Sequence, residues 1–351
     1  MKTIDYIYRF DPKNPSAKTT PPDAEAARRT LEAGNRMFAQ WMASCQTSTL
    51  SADEPQYIVP CNGLEVGMVR VMGQLPKQAP FAVVVGCSDA RVPTEMIFGQ
   101  GFNDLFVIRV AGNVLGDVCL GSIDFALTAL SESVKVVVML GHSGCGAVTG
   151  AVDAYLRPLK FWSKTTPPPL RAILQKIFVA VRESANGISE VWGPQAAEFP
   201  GYRDALIETA VAINAAQSAF DLRQEVETAG KWEIDVLYSV YNTYNHQVNL
   251  AAPPNSAYSN ENVRLAHAPS NPREFKELAL RMAEILKPMA SQSPMIGGGP
   301  QTHAPGGASN GVQPDANGTV ANSTVANSTA ANAAGANGAS GAIAPSTPLA
   351  E

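Results

Sequence analysis

Within 22–43 the large apolar side chains fall at Leu31, Met37, Phe38, Trp41 and Met42. That spacing is close to a helical stripe and predicts a helix, with Asp23 as its N-cap. The run Phe81-Ala-Val-Val-Val-Gly86 has no polar break and ends in glycine. A short uninterrupted apolar run of this kind predicts a strand buried on both faces. Residues 105–109 and 134–140 predict two more strands, with a helix over 121–132 between them that carries Ile123, Leu127 and Leu130 on one side. Farther along, 202–227 predicts a helix, 234–240 and 246–250 predict strands, and 274–290 predicts a last amphipathic helix. The pattern is weakest over 161–201, where a helix over 170–183 is expected inside a proline-rich surround. Strands alternating with helices imply right-handed crossovers. The expected fold class is therefore α/β, a mostly parallel β-sheet flanked by helices.

Composition divides the chain. Only 16% of the 351 residues are charged, below the usual quarter, and the deficit sits at the C-terminus. From 291 to 351 the only charged side chains are Asp315 and Glu351, and a five-residue unit recurs from Thr319 to Ser323 and from Thr324 to Ser328. Such a segment has too few large apolar groups to offset its ordering entropy, so a disordered C-terminal tail is expected over 291–351. One α/β domain is expected over 1–290, with an N-terminal helical arm and a C-terminal helical extension. The net charge of −5 argues against a nucleic-acid or anionic-membrane partner. No apolar run reaches the ~18–20 residues of a bilayer span, and the polar N-terminus lacks the core of a signal peptide. Five scattered cysteines do not resemble a disulfide framework. Together these features predict a soluble, cytoplasmic protein with reduced thiols.

Two of the apolar strands run into unusual polar text. The first continues as Cys87-Ser-Asp-Ala-Arg-Val-Pro93 and the third as Gly141-His-Ser-Gly-Cys-Gly146. In open α/β sheets, ligands gather at the carboxyl ends of strands. If the two strands are near neighbours, Cys87, His142 and Cys145 converge there. Two thiolates and one imidazole form a good Zn²⁺ ligand set, and three protein ligands leave a fourth position open for water or substrate. Cys45, Cys61 and Cys119 have no ligand-like neighbour in sequence and read as ordinary thiols. His246 and His267 read as surface or structural residues, and His303 as a solvated residue of the tail.

At these residues the chain resembles the β-class carbonic anhydrases. The resemblance takes in Cys87 to Pro93, Ile97-Phe-Gly-Gln-Gly101, Asp104-Leu-Phe-Val-Ile-Arg-Val-Ala-Gly-Asn113 and Gly121-Ser-Ile-Asp-Phe-Ala126. It continues through Gly141-His-Ser-Gly-Cys-Gly-Ala-Val148, and Leu31-Glu-Ala-Gly-Asn-Arg-Met-Phe38 is similar to the family's N-terminal helix. It implies one Zn²⁺ per chain held by Cys87, His142 and Cys145, with Asp89 and Arg91 as the paired aspartate and arginine beside it. It also implies pocket roles for Gln78, which in many members reaches the site from across a dimer interface, and for Phe106 and Gly146. The implied reaction is reversible hydration of CO₂ to bicarbonate by a zinc-bound hydroxide, in a homodimer or higher homo-oligomer.

The chain also departs from family patterns. Val84 stands where a closed-form subgroup carries tryptophan, which with Gln78 implies an open, constitutively active site. Phe125 stands where plant-like members often have tyrosine. Two other readings share these motifs. One is a COS or CS₂ hydrolase on the same scaffold, and the other is a non-catalytic zinc scaffold. An intact Asp89–Arg91 pair argues against the second.

Overall fold

The structure is a computed structural model and describes residues 5–11, 20–46, 56–61, 75–162, 166–230, 234–250, 256–257, 259 and 263–291. The expected disordered tail lies outside the described residues beyond Ser291. In chain order the elements begin with β1 (Asp5–Phe10), α1 (Ala24–Gln46), β2 (Gln56–Cys61), β3 (Ala82–Gly86), α2 (Thr94–Ile97) and β4 (Leu105–Arg109). Next come α3 (Asp117–Ala129), β5 (Val136–His142), α4 (Gly146–Leu156), α5 (Pro158–Phe161) and α6 (Pro168–Trp192). The last are α7 (Tyr202–Ala229), β6 (Asp235–Tyr241), β7 (Ala266–His267) and α8 (Pro272–Leu286).

The main sheet runs in the order β4-β3-β5-β6-β7, parallel throughout except for β7. Its central strands are buried on both faces, and successive side chains divide by the two-residue period of a strand. Ala82, Val84, Val136, Val138 and Leu140 join a core with α1 and β2. Val83, Val85, Val137 and Met139 join another with α3 and α7. From β3 the chain crosses first to β4 on one side and then back to β5 on the other. The carboxyl ends of β3 and β5 therefore flank the topological switch point, where such sheets open a crevice.

The helix expected over 22–43 is α1, and Asp23 does cap it, its Oδ1 accepting from the Ala26 N–H at 2.7 Å. The helix expected over 121–132 starts four residues earlier, behind Gly116, and the one expected over 170–183 extends to Trp192. The expected strand over 246–250 is absent. Asn242 Oδ1 accepts from Tyr244 N at 2.8 Å and Asn245 Oδ1 from Gln247 N at 3.0 Å, so asparagine turns replace a ladder. His246 at φ 63° completes that turn, and the segment keeps an isolated bridge from Tyr241 to Val248, with Asn249 N–H donating to the Val240 carbonyl at 2.8 Å. The polar N-terminus hides a strand, since β1 pairs in parallel with β2 through an aromatic group of Tyr6, Trp41 and Tyr57.

Helix α8 is capped by Asn271, whose side chain accepts from Arg273 N at 3.0 Å, and begins with Pro272. It buries Ala279, Met282, Ala283 and Leu286, and its Ala283 carbonyl accepts from the Trp192 indole N–H at 2.8 Å. Truncation after Asn271 should therefore lower the melting temperature by many degrees, whereas truncation after Ala290 keeps α8 and should melt like the full chain. Equal melting of the two truncated proteins would show that α8 is dispensable.

Candidate metal centre

Strand β5 runs two residues past the expected end, so His142 is its last residue rather than part of the following loop. Gly86 pairs with Leu140 across β3 and β5, which sets Cys87 and His142 side by side at the switch point. Gly144 then turns the chain at φ 63° and Cys145 forms the N-cap of α4. Cys87, His142 and Cys145 are all buried, and one donor atom from each lies within 4.8 Å of the others.

Three observations bear on whether these residues fit a metal. The two sulfurs lie 3.9 Å apart, close to the about 3.8 Å between thiolates sharing a tetrahedral ion at ~2.3 Å. His142 Nδ1 lies 3.1 Å from the Ser143 carbonyl, a contact that places the ring proton on that nitrogen. His142 Nε2 is left buried without a hydrogen-bond partner. A buried acceptor without a partner is costly, and a metal ion would satisfy it. The contact between the two sulfurs draws the Cys87 thiol well below its usual range, while the same contact and burial push Cys145 upward. Gly112 N–H also donates to Cys87 Sγ at 3.4 Å. The donor set thus suits a soft divalent cation such as Zn²⁺.

Asp89 stands beside this cluster. Arg91 grips its carboxylate as a fork, Nε to Oδ1 at 3.0 Å and Nη2 to Oδ2 at 2.7 Å, while Arg91 N donates to Oδ1 at 2.9 Å. That grip holds the Asp89 carboxyl down at about 2. Asp89 Oδ2 lies 3.9 Å from the partnerless His142 Nε2. The Arg91 side chain is 58% exposed, so the pair adds little to stability and is better understood as setting the carboxylate's direction. What it adds is present above the unfolded-state value near ~4 and is lost only as pH falls through the folded value.

The remaining expected residues are placed differently. Gly146 opens α4 next to Cys145, and a Cβ there would meet nothing within 4 Å, so it faces open space. Phe106 pairs with Val83, three rungs below Gly86 and so about 10 Å from the ligand level, and stacks obliquely on Phe125. Gln78 is exposed in the segment before β3, at the opposite end of that strand from Cys87. The structure does not bring it into its own chain's site. Cys45 and Cys119 are partly buried and Cys61 is buried, and none of the three forms a disulfide among the described residues. His246 is structural, its Nδ1 lying 2.8 Å from the Tyr241 hydroxyl, and His267 is exposed.

Sequence reasoning missed other residues that hold the site. Arg109 ends β4 and donates through Nε to the Cys87 carbonyl at 2.9 Å and through Nη2 to the Asp89 carbonyl, clamping the loop that carries both. A charged residue closing a strand beside Cys87 was the available signal. Asn214 of α7 donates to the Gly112 carbonyl at 2.8 Å. Glu208 of α7 accepts from Gly144 N at 2.9 Å, and burial pushes its enclosed carboxyl up to about 7, against the pull of that N–H. Nothing in the spacing of Glu208 to the motifs marks it.

Two thiols and an imidazole, a donor set suited to a soft metal, thus lie together at the switch point of a mostly parallel α/β sheet. Residues 82–243 match the family model described as carbonic anhydrase. Carbonic anhydrase 2 of Mycobacterium tuberculosis is 51% identical over 129 residues, which is 37% of this chain and 53% of that protein. The carbonic anhydrase of Mycolicibacterium smegmatis is 39% identical over 129 residues, with the same shares. Among solved structures, the β-carbonic anhydrase CafA of Aspergillus fumigatus is 21% identical with a TM-score of 0.37, covering 58% of this chain and 82% of that one. The likeness to the carbonic anhydrase family thus spans residues 82–243, the part of the chain that carries the cluster. It spans about half the length of the curated relatives it matches. Among the described residues no helix is long and apolar enough to cross a membrane.

Proposed function

We propose that this protein catalyses the reversible hydration of CO₂ to bicarbonate and a proton, with one Zn²⁺ per chain held by Cys87, His142 and Cys145. The observation that carries this reading is the buried cluster itself, with His142 Nε2 left partnerless 3.9 Å from a carboxylate fixed by Arg91. When bound there, zinc supplies a hydroxide nucleophile near neutral pH, by lowering the pKa of water from about 15.7 towards about 7 in the carbonic anhydrases that hold it through histidines.

The chain's own residues do the rest. Asp89 Oδ1 is committed to the Arg91 backbone and Nε, while Oδ2 faces the cluster. A lone pair of Oδ2 can accept a hydrogen bond from the nucleophile's hydroxyl, which keeps its proton, and so aim the oxygen lone pair at CO₂. Arg91 keeps the same carboxylate from closing on the cluster, which supports the open form as the resting state. Gly144 and Gly146, on either side of Cys145, leave open space there, where no Cβ would meet another atom. A purely structural zinc site would be closed by a fourth protein ligand, and among the described residues the cluster contains three. Gln78 enters this account through assembly, and Phe106 as a pocket-lining residue. We place both in the pocket of a homodimer or larger oligomer, since Gln78 lies at the wrong end of its own sheet.

Both sulfurs must be thiolates to bind metal, so apparent zinc affinity is expected to strengthen as pH rises and to weaken as it falls. Chelator competition at several pH values checks this, and a flat profile would argue against a two-thiolate site. The function is tested by offering the zinc-loaded protein CO₂, COS and CS₂ in parallel. Fast turnover of CO₂ with little of the sulfur compounds supports the proposal. The reverse preference would reassign the scaffold to sulfur substrates.

A further inference from the structure

The turn between His142 and Cys145 sets where the Cys145 sulfur points, and polar contacts rather than packing hold it. Ser143 is fixed on one side, its N–H donating to the Tyr241 carbonyl at 2.9 Å and its Oγ accepting from Thr243 N at 2.9 Å. Gly144 is different. It sits at φ 63°, and a Cβ there would touch nothing within 4 Å. With no side chain and no packing neighbour, its conformation depends on its own N–H and C=O. The N–H donates to Glu208 Oε1 at 2.9 Å, and the carbonyl accepts from Arg91 Nη2 at 3.4 Å. Glu208 stands on α7, whose flanking Ile207 and Thr209 are buried, so its carboxylate projects from a fixed element.

We propose that Glu208 is a positioning residue of the metal centre: by accepting the Gly144 N–H it fixes the turn that aims Cys145 and, through the same glycine's carbonyl, the reach of Arg91 towards Asp89. The proposal rests on the zinc reading above. It makes the reach of the Glu208 acceptor matter, rather than its charge. Residues that orient metal ligands in this way typically change metal affinity by about 10–100-fold when removed.

Two variants of the full chain separate reach from charge. Glu208→Asp keeps the charge and withdraws the oxygens by one methylene. Glu208→Gln keeps an acceptor at the same reach and removes the charge. Zinc affinity is measured by competition with a chromophoric chelator, alongside melting of the zinc-free proteins. The Asp variant is expected to bind zinc about 10–100-fold more weakly and the Gln variant within about threefold of the parent, both melting zinc-free near the parent. Unchanged affinity in the Asp variant would overturn the role, as would an equal loss in both variants. Collapse of the zinc-free Asp variant would show a merely structural carboxylate and would overturn it too. A parent protein that binds no zinc would instead overturn the zinc reading itself, and the role of Glu208 with it.

Discussion

Cys145→Ser is expected to lose zinc affinity by well over 100-fold and CO₂ hydration by roughly a thousandfold, about 4 kcal/mol of barrier. Serine is nearly isosteric, but its hydroxyl does not ionise near neutral pH, so one of two anionic donors disappears. The residue is buried at the N-cap of α4, where the sulfur faces the helix's first N–H groups from Ala147 and Val148. Those N–H groups pull towards a thiolate, against the upward push from Cys87 and burial, and offer a neutral hydroxyl no comparable gain. The zinc-free variant should fold, because α4 begins at Gly146 and buries Val148, Ala151, Val152 and Ala154 independently of the sulfur. Elemental analysis and a hydration assay on the same preparation check the prediction. Full zinc content in this variant would show that Cys145 is not a ligand.

Arg91→Ala is expected to cost about 100-fold in turnover, the scale of losing one preorganised polar contact in a catalytic site, while zinc content stays at one per chain. The guanidinium makes two of the three hydrogen bonds from Arg91 to Asp89 and also reaches the Gly144 carbonyl. Without it, the carboxylate is free to turn towards His142 Nε2, now 3.9 Å away, and to close the cluster as a fourth donor. Arg91→Lys should not rescue, since a single ammonium cannot reproduce the planar fork. The melting temperature should barely move, as expected for an exposed pair. Normal turnover in either variant would remove the gating role.

The readable parts of the chain were those where one physical signal dominated. Phe81 to Gly86 could only be a doubly buried strand, and the polar text after it stood out for that reason. His142 and Cys145 were legible through donor chemistry at a second strand end. Their meeting depended on β3 and β5 being neighbours, which alternating elements imply but do not prove. The turn at 242–247 was misread because His246-Gln-Val-Asn-Leu250 alternates like a strand, while Asn242 and Asn245 divert the backbone through their own side chains. β1 was missed because its Tyr-Ile-Tyr core is short and set in polar text, and its partner β2 lies some fifty residues away in sequence. Arg109, Asn214 and Glu208 escaped for a related reason. Each acts by bonding backbone groups of a distant loop, and no residue spacing records that.

The most direct test of the account is stopped-flow CO₂ hydration by the purified protein, before and after zinc is stripped and restored. The account predicts fast hydration with one zinc per chain, loss of activity on stripping, and recovery when zinc alone is returned. Hydration at the uncatalysed rate by protein holding a full equivalent of zinc at Cys87, His142 and Cys145 would contradict it.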